Sequence, residues 1–380
     1  MNLETLHILM NIILVFSGLY ILCIGAFTYG LYCVILNEVQ RSEKSNRKVS
    51  VIIAAKNEEK NILKPLQSLV SQSFDKSDFE VIVIDDNSSD RTFDIVSDFI
   101  NNNSDLNIRL FKADGSGKKQ AISQALHLAE NDIVMVTDAD CELPRRWIEK
   151  TLAFMHNNDL KMVLGPVLLT PCDTFFEKIQ VLEHLSLIAS TAGSAAIGMP
   201  VMCNGANMAY DHRSALEVEK YRTDMDIASG DDVFLMEQFV KHFGSRSVRF
   251  LFDTDTIVKT QTMPDLKSFF RQRRRWVSKT KNYTDFKIIS TALIVLSFGL
   301  VQFFFALAGF FYPLFWIFFA LFTILKVLID IPILHRMTTF LHRKKLLWWV
   351  LPTEIVYPFY VVFTAFGGLF SKVAWKKRGV

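Results

Sequence analysis

Two aspartates follow a short apolar run in the middle of the chain, in the segment Thr137-Asp138-Ala139-Asp140. The preceding run, Ile133–Val136, is apolar and mostly β-branched, which predicts a strand buried on both faces. Open α/β folds bind ligands at the carboxyl ends of such strands, and alternation would put Asp138 and Asp140 on one side. Adjacent carboxylates favour sharing a cation, and hard oxygen ligands suit Mg²⁺ or Mn²⁺. A solvated turn is the alternative for an Asp-x-Asp pair alone, and the flanking sequence favours the metal site.

Other polar groups also stand where ligands could bind. Asp85-Asp86 follows a second apolar run, and Asp231-Asp232 opens a predicted helix, where one or both residues could simply cap it. Gln272, Arg275 and Trp276 have the spacing i, i+3 and i+4, so they share a helix face. The arginine could pair with a phosphate in bidentate fashion, and the indole offers a flat apolar surface on which a sugar could stack. We expect the neighbouring arginines, 273 and 274, to form a solvated or lipid-headgroup patch.

Strands alternating with helices must position these residues. This alternation predicts a parallel sheet with right-handed crossovers. No Gly-x-Gly-x-x-Gly follows the first strand, which argues against a dinucleotide-binding dehydrogenase. The predicted strands are Val49–Ala55, Phe79–Ile84, Ile108–Lys112, the run ending at Asp138, Met162–Thr170 and a short strand near Tyr210. The predicted helices of the less regular second half are Pro144–His156, Thr174–Ala192, Asp231–Phe243 and one starting at Pro264.

Apolar segments at both ends of the 380-residue chain predict a membrane protein. No residue from Ile8 to Leu31 carries a charge, a stretch longer than the ~20 residues that cross a bilayer. The acidic start and the length indicate a retained anchor rather than a signal peptide. Basic residues after this span, at 41, 44, 47 and 48, put the central domain in the cytoplasm by the positive-inside rule.

The C-terminal part adds two or three spans. Candidate segments are Ile288–Phe311, about Pro313–Ile331 and Leu347–Phe370, with a basic loop from His335 to Lys345 before the last. The last segment contains two prolines and Glu354, so it either spans or is re-entrant. Glu354 is a functional candidate if it lies within a span, and the alternative is a position at the interface. Simple alternation would put the basic tail outside, against the same rule.

The overall charge and the cysteines exclude other classes of protein. The net charge of +3 is small and gives no reason to expect a nucleic-acid partner, whereas basic residues beside apolar segments fit a lipid surface. The five cysteines have no paired spacing, which excludes a disulfide framework or a zinc site and fits a reducing compartment.

Taken together, the motifs resemble those of family 2 glycosyltransferases with the GT-A fold. The resemblance covers nearly the whole globular domain, and five motifs in the right order carry it. They are Val51-Ile52-Ile53-Ala54-Ala55-Lys56-Asn57-Glu58-Glu59, Val83-Ile84-Asp85-Asp86-Asn87-Ser88-Ser89-Asp90, Thr137-Asp138-Ala139-Asp140, Gly230-Asp231-Asp232 and Gln272-Arg273-Arg274-Arg275-Trp276. The membrane arrangement resembles the branch of cellulose, chitin and hyaluronan synthases and ceramide glucosyltransferases.

The resemblance implies an α/β fold, a GT-A nucleotide-diphospho-sugar transferase domain with a parallel-rich mixed sheet, plus transmembrane helices. It implies an anchor at 1–36, a cytoplasmic transferase domain at 48–283, membrane helices at 288–370 and a basic tail at 371–380. It also implies a multi-pass protein of the cell (inner) membrane.

The same resemblance implies roles for individual residues. Ala55, Asn57 and Glu58 would line the nucleotide pocket. Asp86, either alone or together with Asp85, would bind the uracil. Asp138 would contact the ribose or sugar and, with Asp140, the metal (Mg²⁺ or Mn²⁺).

Further roles follow for the later motifs. Lys118 belongs to a Gly-Lys pair of the nucleotide site, although the small residue that usually follows is Lys119 here. Asp232, with Asp231 beside it, would be the catalytic base. The Gln272, Arg275 and Trp276 side chains would hold the pyrophosphate and the acceptor.

The function implied is inverting, metal-dependent transfer from a UDP-sugar to an acceptor. The acceptor is either a growing β-linked polysaccharide, which is the favoured alternative, or a membrane lipid. Processive synthesis through so few spans would need a homodimer or an accessory export protein. A remote alternative is a non-catalytic sugar-nucleotide sensor or transporter subunit.

Overall fold

The computed structural model describes residues 3–36, 46–222 and 230–370. The basic tail at 371–380 and the basic residues 41 and 44 lie outside the described residues. The chain divides into two compact units. We call residues 34–171 and 198–262 the sheet unit, and residues 1–33, 172–197 and 263–373 the helical unit.

The strands all lie in the sheet unit, and the helices are divided between both units. In chain order the strands are β1 (Val49–Ala55), β2 (Phe79–Asp85), β3 (Ile108–Lys112), β4 (Ile133–Asp138), β5 (Met162–Leu164), β6 (Val167–Thr170), β7 (Met208–Asp211), β8 (Val248–Phe250) and β9 (Val258–Gln261). The helices are α1 (Leu3–Leu36), α2 (Leu63–Val70), α3 (Thr92–Asn102), α4 (Lys118–Leu128), α5 (Trp147–Asn157), α6 (Phe175–Ala196), α7 (His212–Glu219), α8 (Asp231–Phe243), α9 (Leu266–Ser278), α10 (Phe286–Gly309), α11 (Leu314–Phe340) and α12 (Val350–Phe370).

The main sheet has seven strands in the order β3-β2-β1-β4-β7-β5-β8. The first four of these are mutually parallel, whereas β7 runs antiparallel to both of its neighbours. Every residue of β1 and β2 is buried, which explains why most of their residues are apolar. The predicted parallel-rich mixed sheet is therefore confirmed.

A second sheet of two parallel strands, β6 and β9, corrects one predicted strand. We predicted a single strand over Met162–Thr170, but the chain breaks at Gly165-Pro166 between β5 and β6. Pro166 has no backbone N–H for a ladder. A Cβ on Gly165 would collide with the side chain of Asn207, so the backbone turns where only glycine fits. The two halves therefore pair in different sheets.

The helical unit contains helices suited to a bilayer. Within the described residues, four helices are long and apolar enough to cross a membrane: His7–Val34, Phe286–Gly309, Leu314–Phe340 and Lys344–Gly368. The predicted basic loop starting at His335 is wrong, because α11 continues through Pro332 to Phe340 and includes that histidine. The connection to α12 is correspondingly short. None of the five cysteines, all of which are described, forms a disulfide.

A buried group of polar side chains joins α1, α11 and α12. The Lys326 ammonium lies 2.6 Å from an oxygen of Asp330 and 2.8 Å from an oxygen of Glu354. The Tyr20 hydroxyl donates to Asp330 over 3.0 Å. Glu354 is thus buried in the protein, lies within a candidate span and is paired with a lysine.

Candidate functional site

The carboxyl ends of the parallel strands bring several predicted residues to one edge of the sheet. Ala55 is in register with Asp85 on β2, and Ala54 is in register with Asp138 on β4. Because parallel strands end at the same edge, the loops that follow them converge there. The edge therefore carries the first three acidic or polar motifs of the sheet unit.

Hydrogen bonds fix the loop after β1 against the loop after β2. Asn57 adopts a positive φ of 53°, and its backbone N–H donates to Ser88 Oγ over 3.0 Å. The Ser89 N–H donates to Asn57 Oδ1 over 2.8 Å. The Glu58 N–H donates to Thr92 Oγ1 over 2.8 Å, at the start of α3. Asn57 and Glu58 are thus held at the edge where a nucleotide was predicted to bind.

Asp86 is fully buried, and both of its carboxylate oxygens have partners in the protein. Lys56 Nζ donates to Oδ2 and the Gly117 N–H donates to Oδ1, each over 3.0 Å. Its own N–H donates to the carbonyl of Ala55 over 2.8 Å. Asp86 therefore ties the first and second strand ends to the Gly117 turn, and a contact with uracil stays a prediction. Neighbouring Asp85 has a buried Oδ1 without a hydrogen-bond partner among the described residues.

Lys118 gathers carboxylates from two distant parts of the sequence. Its ammonium donates to Asp138 Oδ1 over 2.6 Å and lies 3.6 Å from Asp231 Oδ2. Burial disfavours the charged lysine, but Asp138, Asp231 and Asp232 outweigh this effect and raise the pKa of Lys118. The predicted nucleotide-binding lysine and the predicted catalytic acids therefore form one group, which we call the Lys118 cluster (Lys118, Asp138, Asp231 and Asp232).

The Asp231-Asp232 pair occupies the first turn of α8. Gly230 precedes the helix with a φ of 87°, a conformation in the left-handed region that favours glycine. The Val233 N–H donates to Asp232 Oδ1 over 2.8 Å, and the Gly205 N–H donates to Oδ2 over 3.2 Å. Capping explains part of this arrangement, because a helix N-terminus favours negative charge. These hydrogen bonds also orient the carboxylate that was predicted to be the base.

Asp140 lies among other acidic groups. Burial first, and then the negative charges of Asp138 and Glu58, raise its pKa from 3.8 to about 6. A hydrogen bond with Thr260 opposes the rise. The carboxylates of residues 58, 138 and 140 thus create a place where a positive charge would be stabilised.

The residues present fit a divalent cation, although they do not form a complete cage. No group of three or more His, Cys, Asp or Glu side chains in the described ranges is arranged to hold a metal on its own. The two predicted ligands, Asp138 and Asp140, supply hard oxygens of the kind that Mg²⁺ and Mn²⁺ bind. Magnesium usually takes one or two carboxylates and completes its shell with water and substrate phosphate, so this donor set is consistent with such a site.

The Gln-x-x-Arg-Trp motif belongs to the helical unit, on α9. The helix begins after Asp265, whose side chain accepts the Ser268 N–H. Our expectation for Arg273 is wrong. It is not solvated but 2% exposed, and its guanidinium forms an ion pair with Glu183. Arg274 is exposed, as expected.

Sequence reasoning missed two structural features beside the site. Asn207 is buried, accepts from Trp147 Nε1 over 2.8 Å and donates to the carbonyls of Pro166 and Thr256. Gly205 lies so close to the Lys118 cluster that an added Cβ would be 3.4 Å from Lys118 Nζ. The Asn204-Gly205-Ala206-Asn207 turn was visible in the sequence, but nothing in it showed which residues it would contact.

Part of this sequence is similar to a known protein family and to curated proteins. Residues 50–218 match the model of the family "Glycosyl transferase family 2". The poly-beta-1,6-N-acetyl-D-glucosamine synthase of Staphylococcus aureus is 28% identical over 182 residues, 47% of this chain and 42% of that protein. The beta-monoglucosyldiacylglycerol synthase of Trichormus variabilis is 36% identical over 96 residues, 25% of this chain and 20% of that protein.

The structural comparison extends over more of the chain. The mannosyltransferase PcManGT from Pyrobaculum calidifontis, solved with GDP-Man and Mn²⁺, aligns with a TM-score of 0.59 over 94% of this chain and 99% of that one. At 17% identity this likeness concerns the fold. The matching regions span only 20 to 42% of the length of the curated relatives.

Proposed function

Because residues 50–218 match the glycosyl transferase family 2 model, we propose that the protein is an inverting, metal-dependent membrane glycosyltransferase that uses a UDP-sugar. The observation that carries the proposal is the Lys118 cluster at the carboxyl edge of the sheet. It combines a cation for the phosphates with an oriented carboxylate for the acceptor.

Asp232 is the proposed general base. It takes the proton of the acceptor hydroxyl while that oxygen forms a bond to the anomeric carbon of the donor. The bond from this carbon to the diphosphate breaks at the same time, the electron pair leaves with UDP, and the configuration inverts. A single carboxylate is sufficient, unlike the paired carboxylates of a glycoside hydrolase. The N–H groups of Val233 and Gly205 fix the direction of this carboxylate.

The diphosphate gathers negative charge as it leaves, and several residues are proposed to stabilise it. Lys118 supplies one positive charge, because its ammonium is already held at the sheet edge. Arg275, with Gln272 and Trp276, is proposed to bind the pyrophosphate and the acceptor. Asp138 and Asp140 would hold the divalent cation, which supplies further charge neutralisation when bound. Ala55, Asn57, Glu58 and Asp86 are proposed to line the nucleotide site.

The favoured acceptor is a growing β-linked polysaccharide. This choice is supported by the Staphylococcus aureus relative, whose name gives a polymeric product and whose match covers 47% of this chain. The second candidate is a membrane lipid, which the Trichormus variabilis relative favours by its name. The candidate spans in the helical unit suit either acceptor, and a polymer would require a homodimer or an export partner. We propose a multi-pass protein of the cell membrane with the sheet unit in the cytoplasm.

One assay tests this function. The full-length protein in lipid nanodiscs is incubated with Mn²⁺ or Mg²⁺, nanodisc lipids and a panel of nucleotide sugars, and released UDP is measured. We expect release from one donor, with loss of the signal on chelation and in Asp140→Ala. Asp132→Asn is the matched control, because Asp132 is an exposed carboxylate outside the Lys118 cluster.

Two further readouts separate the alternatives. With a labelled donor, a polysaccharide synthase gives a ladder or polymer, whereas a lipid transferase gives one glycolipid that partitions into organic solvent. Asp232→Asn should abolish turnover and preserve UDP binding. UDP binding without turnover of any donor by the wild-type protein would contradict the enzymatic proposal and favour a sugar-nucleotide sensor.

A further inference from the structure

Arg273 is a buried cation in the helical unit, although it stands within a run of arginines. Its Nε donates to Glu183 Oε1 over 3.2 Å and its Nη2 donates to Glu183 Oε2 over 2.5 Å. The Tyr360 hydroxyl donates to the same Oε1 over 3.0 Å. This bidentate pair, supported by a third group, joins α9 to α6 and α12. Charge-assisted bonds of this kind fix direction as well as distance.

The same guanidinium contacts two residues of the Gln-x-x-Arg-Trp motif. Its Nη1 donates to Gln272 Oε1. Its central carbon lies 4.2 Å from the centroid of the Trp276 ring and 4.5 Å from that of Phe269. Arg273 is therefore stacked between two aromatic rings while it holds the neighbouring amide. The orientations of Gln272 and Trp276 thus depend on a residue that the motif pattern leaves variable.

We propose that Arg273, anchored by Glu183, is a positioning residue that sets Gln272 and Trp276 for the acceptor. This inference rests on the proposed function, since it assigns those two residues to acceptor binding. A lysine could not replace it, because an ammonium cannot form the bidentate pair, stack between two rings and bind the amide at once. The alternative is that Arg273 only stabilises the fold.

The test compares Arg273→Lys with Arg271→Lys in the full-length protein in nanodiscs. Arg271 is the matched control, because it lies on the same helix but is exposed. Glu183→Gln and Tyr360→Phe are milder changes to the same network. They keep the proposal testable if Arg273→Lys does not fold.

The first readout is positional and needs no substrate. Tryptophan is replaced by 5-fluorotryptophan, and the ¹⁹F resonance of Trp276 is assigned by its loss in Trp276→Phe. We expect Arg273→Lys and Glu183→Gln to shift or broaden this resonance, and Arg271→Lys to leave it unchanged. An unchanged Trp276 resonance in a folded Arg273→Lys protein would overturn the proposal.

The second readout separates positioning from stability. For each folded variant, the donor that wild-type protein turns over is used to measure sugar transfer and total UDP release. The Kd for UDP with Mn²⁺ is measured in parallel. Arg273→Lys should lower transfer on the order of tenfold or more, since small misplacements near reacting groups are costly. The fraction of UDP released without transfer should rise, and the Kd for UDP should change less than about threefold.

The outcomes distinguish the two proposals. The inference is overturned if the rate of sugar transfer per folded molecule of Arg273→Lys is within twofold of that of Arg271→Lys. Arg273 would then have a merely structural role. If the wild-type protein binds UDP but turns over no donor, the proposed function fails. The Trp276 resonance then still decides whether Arg273 positions the motif.

Discussion

Asp140 combines a site predicted to bind a cation with an environment that disfavours its own charge. Burial and the carboxylates of Asp138 and Glu58 raise its pKa from 3.8 to about 6. Between about pH 4 and 6 this carboxyl therefore binds more protons in the folded protein than in the unfolded chain, so its contribution to stability falls as pH rises through this window. Above pH 6 the full cost is present. A difference of about two pH units corresponds to at most about 3 kcal/mol.

Asp140→Asn should therefore make the sheet unit more stable while it abolishes sugar transfer. The amide is close in shape to the carboxylate and cannot be charged, so the cost disappears. At pH 7.5 without a cation, we expect a gain of at most about 3 kcal/mol. For a unit of this size that corresponds to about 6 to 12 °C in transition temperature. The folded wild-type protein is destabilised only to the extent that Asp140 is ionised. The stability gained by Asp140→Asn should therefore fall to about half at pH 5.

Thermal unfolding of the full-length protein in EDTA at pH 7.5 and pH 5 measures both effects. Asp132→Asn is the control, since its carboxylate is exposed. Mn²⁺ should raise the transition temperature of the wild-type protein at pH 7.5 and leave Asp140→Asn unchanged. Equal or lower stability of Asp140→Asn at pH 7.5, or a gain that is the same at both pH values, would refute the reasoning.

Three further substitutions probe polar side chains that have hydrogen-bond or ion-pair partners within the protein. Lys118→Met leaves Asp138 without the ammonium 2.6 Å away, so the free energy of unfolding in EDTA should fall by about 1–3 kcal/mol. The variant should also bind UDP more weakly, as measured by titration calorimetry. An unchanged Kd for UDP would contradict the phosphate-binding role of Lys118. Asn207→Ala removes the acceptor of Trp147 Nε1 and two hydrogen bonds that Asn207 donates. We expect the free energy of unfolding in denaturant to fall by about 2–4 kcal/mol. A fall of less than about 0.5 kcal/mol would argue against a stabilising role of these bonds. Lys326→Met leaves two buried carboxylates unpaired, so detergent-solubilised protein should lose about 3–5 kcal/mol, whereas Lys326→Arg should lose much less.

The strands that carry the site were predictable because a strand buried on both faces consists largely of consecutive apolar residues. The strands Val49–Ala55 and Ile108–Lys112 were predicted with the bounds that the structure shows, and β2 extends one residue beyond the prediction, to Asp85. The helix predicted over Thr174–Ala192 likewise forms, as α6, and the structure shows a capping box of Thr174 and Glu177 at its start. Such signals are local, so the sequence alone contains them.

Contacts between distant residues could not be predicted in this way. Arg273 was expected in a solvated patch because its neighbours are also arginines, yet Glu183 lies 90 positions away along the chain. The ion pair between Lys118 and Asp138 spans 20 positions and depends on the strand order. Periodicity indicates which face of a helix a residue occupies but not what packs against that face. The split between β5 and β6 was missed for the same reason, since Asn207 makes Gly165 necessary.

The helical unit is assembled from three separate stretches of chain, and this dictates the order in which it can form during synthesis. Tyr20 leaves the ribosome early, but Asp330, the acceptor of its hydroxyl, is 310 residues further on. At about 5–20 residues per second, this interval lasts on the order of 15 to 60 s. During that time α1 exists without Asp330, the acceptor of its Tyr20 hydroxyl. The described segments of the sheet unit, which end at residue 262, are therefore synthesised before α11 and α12 can form the Lys326 ion pairs. A ribosome that stalls before α11 would leave a fully synthesised sheet unit attached to an incomplete helical unit.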